Sequence, residues 1–329
     1  MTIAQNIMQM ILLQPDTYIW LMVLAMTIVS ALLFFICRRR KRWFKLLCIV
    51  FALACWYILL YGTFIGFGKI EVRRVELAFK DLPEAFDGYR IVQFGDVHAG
   101  SYTGWREQIL RQAIDSINAQ KADLVVFTGD LQNKRAEEIV KHKDILSSIK
   151  AKDGIYSVMG NHDYPEYIDA EPIEKMISCE KTMGMEMELG WELLLNSHHR
   201  IRRGNQRIVI AGMENDGEGR FPQLGNISST LSSLNRESFV IMLEHDPTSW
   251  RRKILPHSHV QLTLSGHTHG GQFSLFGWSP ASLAYREYDG LYRAGNRMLF
   301  VTKGLGGVVP FRFGVSGEIV VITLKKLRE

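Results

Sequence analysis

Two stretches without a charged side chain decide what the first part of this chain can become. Nothing between Asp16 and Arg38 is charged, and nothing between Lys45 and Lys69 is charged. At about 1.5 Å of helical rise per residue, each gap can cross a hydrocarbon layer about 30 Å thick. The pattern predicts two membrane-spanning helices, roughly 17–37 and 46–67. Both are apolar around their whole circumference, which a core helix packed on one face does not require. A cleaved signal peptide would need a basic lead-in and a small-residue cleavage site. Residues 1–16 hold no Lys or Arg, and the first segment runs straight into "FFICRRR".

The connection "RRRKRWFK" carries Arg38, Arg39, Arg40, Lys41, Arg42 and Lys45. Short basic loops stay in the cytoplasm, which places the N-terminus and everything after residue 68 on the outer face of the cell (inner) membrane, in a multi-pass arrangement. Lys69, Arg73, Arg74 and Lys80 form an opposing signal just past the second segment. The same loop accounts for the net charge of +5, because residues 1–68 hold six Lys/Arg and one Asp, leaving 33 charges of each sign in the remainder. A neutral body lacks the electrostatic footprint of a nucleic-acid binder, so no such partner is expected. Three of the four cysteines, Cys37, Cys48 and Cys55, lie in or beside the apolar segments, and Cys179 stands apart. That distribution offers neither a disulfide framework nor a Cys-rich zinc site.

Residues 1–68 are therefore expected to be a membrane anchor and 69–329 a single further domain. Within it, "YRIVQFGD", "ADLVVFTGD" and "GIYSVMGNHD" read as buried strands entering polar loops, separated by helical spacing at 105–121 and 135–150. Alternating strand and helix implies an α/β fold with parallel pairing, and ligands in such folds sit beyond the C-terminal strand ends. A hairpin is expected to turn at Gly204 and Asn205, followed by strands in "SFVIMLEHD", "VQLTLSGHTH", "RMLFVTKG" and "GEIVVITLKK".

Five of these strand ends carry metal-ligand residue types: Asp96 and His98, Asp130, Asn161 with His162 and Asp163, His245, and His267 with His269. Imidazole, carboxylate and amide without thiolate suit Mn, Fe or Zn. Residues two apart in extended backbone point the same way, so Asp96 with His98 and His267 with His269 can each converge. Gly266, Gly270 and Gly271 allow the sharp turn that separates two adjacent imidazoles. His142, His198, His199, His257 and His259 fall outside these loops and read as surface groups.

The ordered series D-x-H, G-D, G-N-H-D, H and G-H-x-H resembles the calcineurin-like metallophosphoesterases over Asp96 to His269. The ending "GHTHGGQF" and the apolar N-terminal segments further resemble the membrane-bound bacterial branch related to diacylglucosamine-pyrophosphate hydrolases. "FGDVHAG" departs from that branch, which usually has Ser before the Asp and Leu after it, though neither position is a ligand. The resemblance implies two mixed β-sheets sandwiched between helices and two divalent metal ions. Asp96, His98, Asp130 and His269 would hold one ion; Asp130, Asn161, His245 and His267 would hold the other, with Asp130 bridging. His162 would protonate the leaving oxygen or steady the developing charge, and Asp163 would orient its imidazole.

The activity so implied is hydrolysis of a phosphate ester, with a lean to phosphodiester or pyrophosphate bonds of a lipid-like substrate. A phosphomonoester or nucleotide substrate, and a non-catalytic membrane scaffold retaining the fold, stay open at this point. A transporter is a poorer alternative, since the apolar segments hold no embedded charge to form a polar path. The aromatic stretch 273–292 reads equally as an apolar wall for such a substrate or as sheet packing.

Overall fold

The computed structural model describes residues 15–328, so the first fourteen residues of the expected anchor lie outside the described residues. Helices α1 (Pro15–Cys37) and α2 (Arg42–Tyr61) form a hairpin, and α2 continues through a π turn at Gly62–Gly66. Both are long and apolar enough to cross a membrane. The second starts four residues before the expected 46, because Arg42 and Lys45 join its first turn, where long basic side chains can extend away from an apolar helix. The two far ends of the hairpin are fastened to the rest of the chain. Asp16 pairs with the buried Arg106 at 2.7 Å, and the Gly62 carbonyl accepts from the Arg312 amide at 3.0 Å.

Among the described residues, twelve strands follow in two six-stranded mixed sheets. The first has the order β1 (Ile70–Phe79), β12 (Gly317–Lys326), β2 (Arg90–Phe94), β3 (Leu124–Phe127), β4 (Ile155–Ser157) and β5 (Glu192–Leu193). The second runs β10 (Gly290–Ala294), β11 (Arg297–Val301), β9 (Leu262–Ser265), β8 (Val240–Leu243), β7 (Gln206–Gly212) and β6 (Ser197–Arg203). Strands β2 to β5 are parallel, as are β7, β8, β9 and β11, so their C-terminal ends share a side within each sheet.

Side-chain alternation builds the layers. Ile91, Leu124 and Val126 of the first sheet meet Ile210, Ile241 and Leu264 of the second in one buried core between the sheets. The intervening Val92, Val125 and Phe127 face outward onto helix α3 (Glu107–Ala119), which buries Leu110, Ala113, Ile114 and Ile117 against them. On the opposite side, Val240 and Met242 pack under Trp250 and Ile254. The apolar runs are continuous rather than alternating because both faces of each sheet are covered.

Two local expectations change. The helix expected over 135–150 is two single turns, Glu137–Val140 and Lys143–Leu146, broken at the buried His142, whose φ of −112° is not helical. Strand β1 has no counterpart among the expected elements, since its charges interrupt the apolar run. Its Arg73 pairs with Asp289 at 3.2 Å and Glu318 at 3.5 Å, so part of the basic cluster after the second apolar segment serves sheet contacts.

Candidate metal centre

Five strands deliver the nine residues singled out above to one place. Strand β2 runs into Asp96 and His98, β3 into Asp130, and β4 into Asn161, His162 and Asp163. From the other sheet, β8 runs into His245, and β9 into His267 and His269. The centre therefore lies at the seam where the C-terminal ends of the two sheets meet.

Two donor clusters form there. Asp96, His98, Asp130 and His269 bring one ligand atom each within 4.8 Å of one another, as do Asp130, His245 and His267. Asp130 belongs to both: its Oδ2 lies 3.5 Å from His98 Nε2 and 3.3 Å from His245 Nε2. In the first cluster His98 Nε2 and His269 Nε2 are 3.3 Å apart. In the second, Asn161 Oδ1 lies 2.7 Å from His267 Nδ1 and 3.1 Å from His245 Nε2. His142, His198, His199, His257 and His259 join neither cluster.

The convergence does not arise from extended backbone. Asp96, His98, Asp130, His267 and His269 all have φ between 49° and 72°, the left-handed region. Such values are uncommon outside glycine and persist only where the surroundings over-determine them. Each of these ligand-type residues is itself the turn, which lets side chains two apart aim at one centre. The glycines act partly through space: a Cβ on Gly266 would stand 2.4 Å from Asp96 Oδ2. Gly160 is tighter, its would-be Cβ falling 2.2 Å from Asp130 Oδ1 and 2.7 Å from His245 Cε1. Gly160→Ala is expected to weaken metal binding by at least about tenfold, read by metal titration of the purified chain. Unchanged affinity would show that the loop yields.

The electrostatics of three of the four ligand-type histidines suit metal binding. Burial drives His98 down to about 3 and His267 to about 4, and His269 well below the usual histidine range. All three are neutral at pH 7, the form that offers a lone pair to a metal. Burial pushes Asp96 up to about 7, helped by the charge of Asp130 and opposed by His245. Burial also works against charge on His245, but Asp130 and Asp96 lift it to about 10. Asp96 Oδ2 has no hydrogen-bond partner although buried. An orphaned buried carboxylate oxygen is costly without a cation, and with imidazole nitrogens gathered in the same two clusters the donor set fits divalent metal.

The sequence pattern of the calcineurin-like phosphoesterase family matches residues 89–271, more than half of the chain. The chain belongs to that family. Among curated relatives, a "Transmembrane protein with metallophosphoesterase domain" from Danio rerio is 31% identical over 276 residues, covering 81% of this chain and 60% of that protein. The "Uncharacterized metallophosphoesterase YkuE" of Bacillus subtilis is 31% identical over 279 residues, covering 80% of this chain and 89% of that protein. Among solved structures, a phosphopantetheinyl hydrolase from Mycobacterium tuberculosis superposes over 65% of this chain and 88% of its own, at 11% identity and a TM-score of 0.42.

In this member of the family, Asp163 does not touch the imidazole it is expected to orient. Its buried carboxylate accepts four backbone amides: Asp130 at 2.7 Å, Leu131 at 2.8 Å, Gln132 at 3.2 Å and Gly160 at 2.8 Å. The His162 ring is held instead by the Asn133 carbonyl, 2.6 Å from Nδ1. A carbonyl only accepts, so Nδ1 carries a proton and Nε2 is left to exchange one. Tyr167 stacks on the same ring at 4.2 Å, and its hydroxyl accepts from Asn161 Nδ2 at 2.7 Å. That bond fixes the amide so that Oδ1 faces the histidines. The Thr128 carbonyl fixes His245 in the same way, at 2.7 Å from Nδ1. Beyond His267, the Tyr285 hydroxyl lies 2.8 Å from Nε2. Asp246 makes a turn contact, accepting from the Thr248 amide at 2.9 Å, and its second oxygen stands 3.5 Å from His267 Nε2. None of these supports is legible as a motif, because two are carbonyls and the tyrosines sit in ordinary loops.

Proposed function

We propose that the chain is a membrane-anchored phosphoesterase with two divalent ions, acting on phosphodiester or pyrophosphate bonds of amphiphilic substrates. The observation that carries this reading is the pair of donor clusters joined through one carboxylate, Asp130. Asp96, His98, Asp130 and His269 would hold the first ion, and Asp130, Asn161, His245 and His267 the second, as Mn, Fe or Zn. Such a pair, when bound, clamps phosphate oxygens and makes water nucleophilic near neutral pH.

The chain's own residues do the rest. The His162 amide donates to Asp130 Oδ1 at 2.8 Å, which ties the loop bearing the imidazole to the shared carboxylate. With Nδ1–H pinned on Asn133, a cationic His162 can give its Nε2 proton to the departing oxygen without turning. Tyr167 stacked on one face limits the ring to that plane. Asp163 contributes by shaping the amides around Asp130 rather than by touching substrate.

The domain division follows the same reading, with 1–68 as anchor and 69–329 as catalytic domain. The fastening of both hairpin ends at Asp16 and Gly62 supports placing the start of α1 and the catalytic body on one side of the membrane. The basic loop 38–45 at the opposite end supports the outer face for that body. A C-terminal reporter active only in the cytoplasm would reverse this orientation.

The test is hydrolysis of bis(p-nitrophenyl) phosphate by the full chain in detergent, with Mn, Fe, Zn or chelator. Turnover should require metal. His162→Asn should lower kcat by about 10²- to 10³-fold while metal content stays at the unmodified level. Full activity in that variant would remove His162 from the reaction.

A further inference from the structure

The segment 273–285 leaves the metal centre just after Gln272 and returns to it at Tyr285, whose hydroxyl touches His267. In between, it runs alongside the apolar hairpin. Phe273 stacks on Phe313 with ring centres 5.8 Å apart, and Phe313 meets Tyr57 and Tyr61 of α2 edge-on at 6.4 and 5.7 Å. Phe273 and Phe311 also line an open groove of about 380 Å³ whose other walls include Met22 and Met26 of α1 and Cys55 and Leu59 of α2.

Those helix positions set a depth. Counted from Pro15, Met22 and Met26 lie about 10 and 16 Å along a helix about 34 Å long. Counted back from Gly66, Leu59 and Cys55 lie at about the same 10 and 16 Å. The base of the loop is therefore level with the interior of the apolar hairpin, not with its end.

The tip is built at a conformational cost. Leu275 and Trp278 exchange backbone hydrogen bonds of 2.9 and 3.0 Å around Phe276 (φ 53°) and Gly277 (φ 82°), a turn with two left-handed residues. Asn or Gly favours the first of those positions, and a bulky aromatic strains it. Phe276 is 100% exposed, so no packing against the protein offsets the strain. Leu275, Trp278 and Leu283 are exposed at 41%, 51% and 79%. A contiguous apolar tip of this kind marks a docking surface.

We propose that the 273–278 turn enters the acyl region of the leaflet facing the catalytic body, beside α1 and α2, and seats the mouth of the metal centre on the bilayer. This rests on the membrane-anchored reading above and deepens it, since a phosphate ester whose apolar part stays in the leaflet then meets the centre directly. Phe276 and Leu275 sit in hydrocarbon, and Trp278 takes the interfacial position its amphipathic ring favours. Phe64 and Trp105, both exposed and stacked at 6.5 Å, extend the apolar rim at the end of α2.

The test uses the full chain with its four cysteines replaced by Ala, in phosphatidylcholine–phosphatidylglycerol vesicles. An environment-sensitive fluorophore is placed through Phe276→Cys and, as a control, through Asn205→Cys at the β6–β7 turn. The probe at 276 should be quenched by spin label in the acyl chains and shielded from iodide, with the reverse at 205. Iodide quenching at 276 equal to that at 205 overturns the proposal.

Phe276→Asn suits the left-handed turn, so folding is not at risk. It should lower hydrolysis of hexadecyl p-nitrophenyl phosphate in the vesicles by about tenfold and leave bis(p-nitrophenyl) phosphate within about twofold. Equal effects on the two substrates would sever the turn from substrate access. Absence of turnover in the unmodified chain would count against the hydrolytic reading alone, because the quenching measurement decides insertion by itself.

Discussion

Asp130→Asn is expected to cost at least about 10³-fold in turnover and to remove metal from both clusters, not one. Loss of a group that merely supports a ligand costs about 10- to 100-fold, and Asp130 is a shared ligand candidate. One oxygen faces His98 and His245 at 3.5 and 3.3 Å, and the other accepts the His162 amide. The amide replacement keeps the shape and removes the charge that lifts His245 and offsets two cations. Elemental analysis of the variant should find fewer than one ion per chain, against the two expected for the unmodified protein. A variant that retains both ions, or a tenth of the activity, would show that the clusters bind independently and that Asp130 does not join them.

Asp163→Asn is expected to act through the fold. Each carboxylate oxygen of Asp163 accepts two backbone amides. The replacement turns one acceptor into an NH₂ group that faces N–H donors, leaving two buried amides unpaired. Unpaired buried donors cost about 1 to 3 kcal/mol each, so a loss of about 2 to 6 kcal/mol is expected. Denaturant unfolding of the detergent-solubilised chain would read it, with metal affinity falling alongside. The competing role, orienting His162, makes a different forecast: full stability, full metal content and a changed pH profile of kcat. That outcome would return Asp163 to the catalytic apparatus.

Much of the centre was legible because its chemistry is concentrated. Asp, His and Asn at the ends of apolar strands left few other uses for residues such as His267 and His269, and the structure brings all of them together. The supports were not legible. A hydrogen bond from His162 to the carbonyl of Asn133 leaves no mark on side-chain identity, and Tyr167 reads as one aromatic among many until its ring is seen on His162. The partners of Asp163 were hidden for a related reason: adjacency to His162 in sequence says nothing about which way a buried carboxylate turns, and this one meets backbone amides. In the fold, the apolar strands β2, β3, β8 and β9 announced themselves. Strand β1 did not, because its charges mimic a linker while its Arg73 is neutralised by residues over two hundred positions away. The short turns at 137–146 show the converse, a helical spacing that the buried His142 interrupts.

The two fastenings of the helical hairpin, Asp16 to Arg106 and Gly62 to Arg312, bear on how this enzyme would count its substrate. On the membrane-anchored reading, a catalytic body tied at both ends of its anchor could not swing out into the surrounding fluid or tumble over the surface; it would drift sideways at fixed height and tilt. Encounters would then happen in two dimensions. Rate would follow the mole fraction of substrate in one leaflet, and diluting the vesicles at constant lipid composition would leave it unchanged.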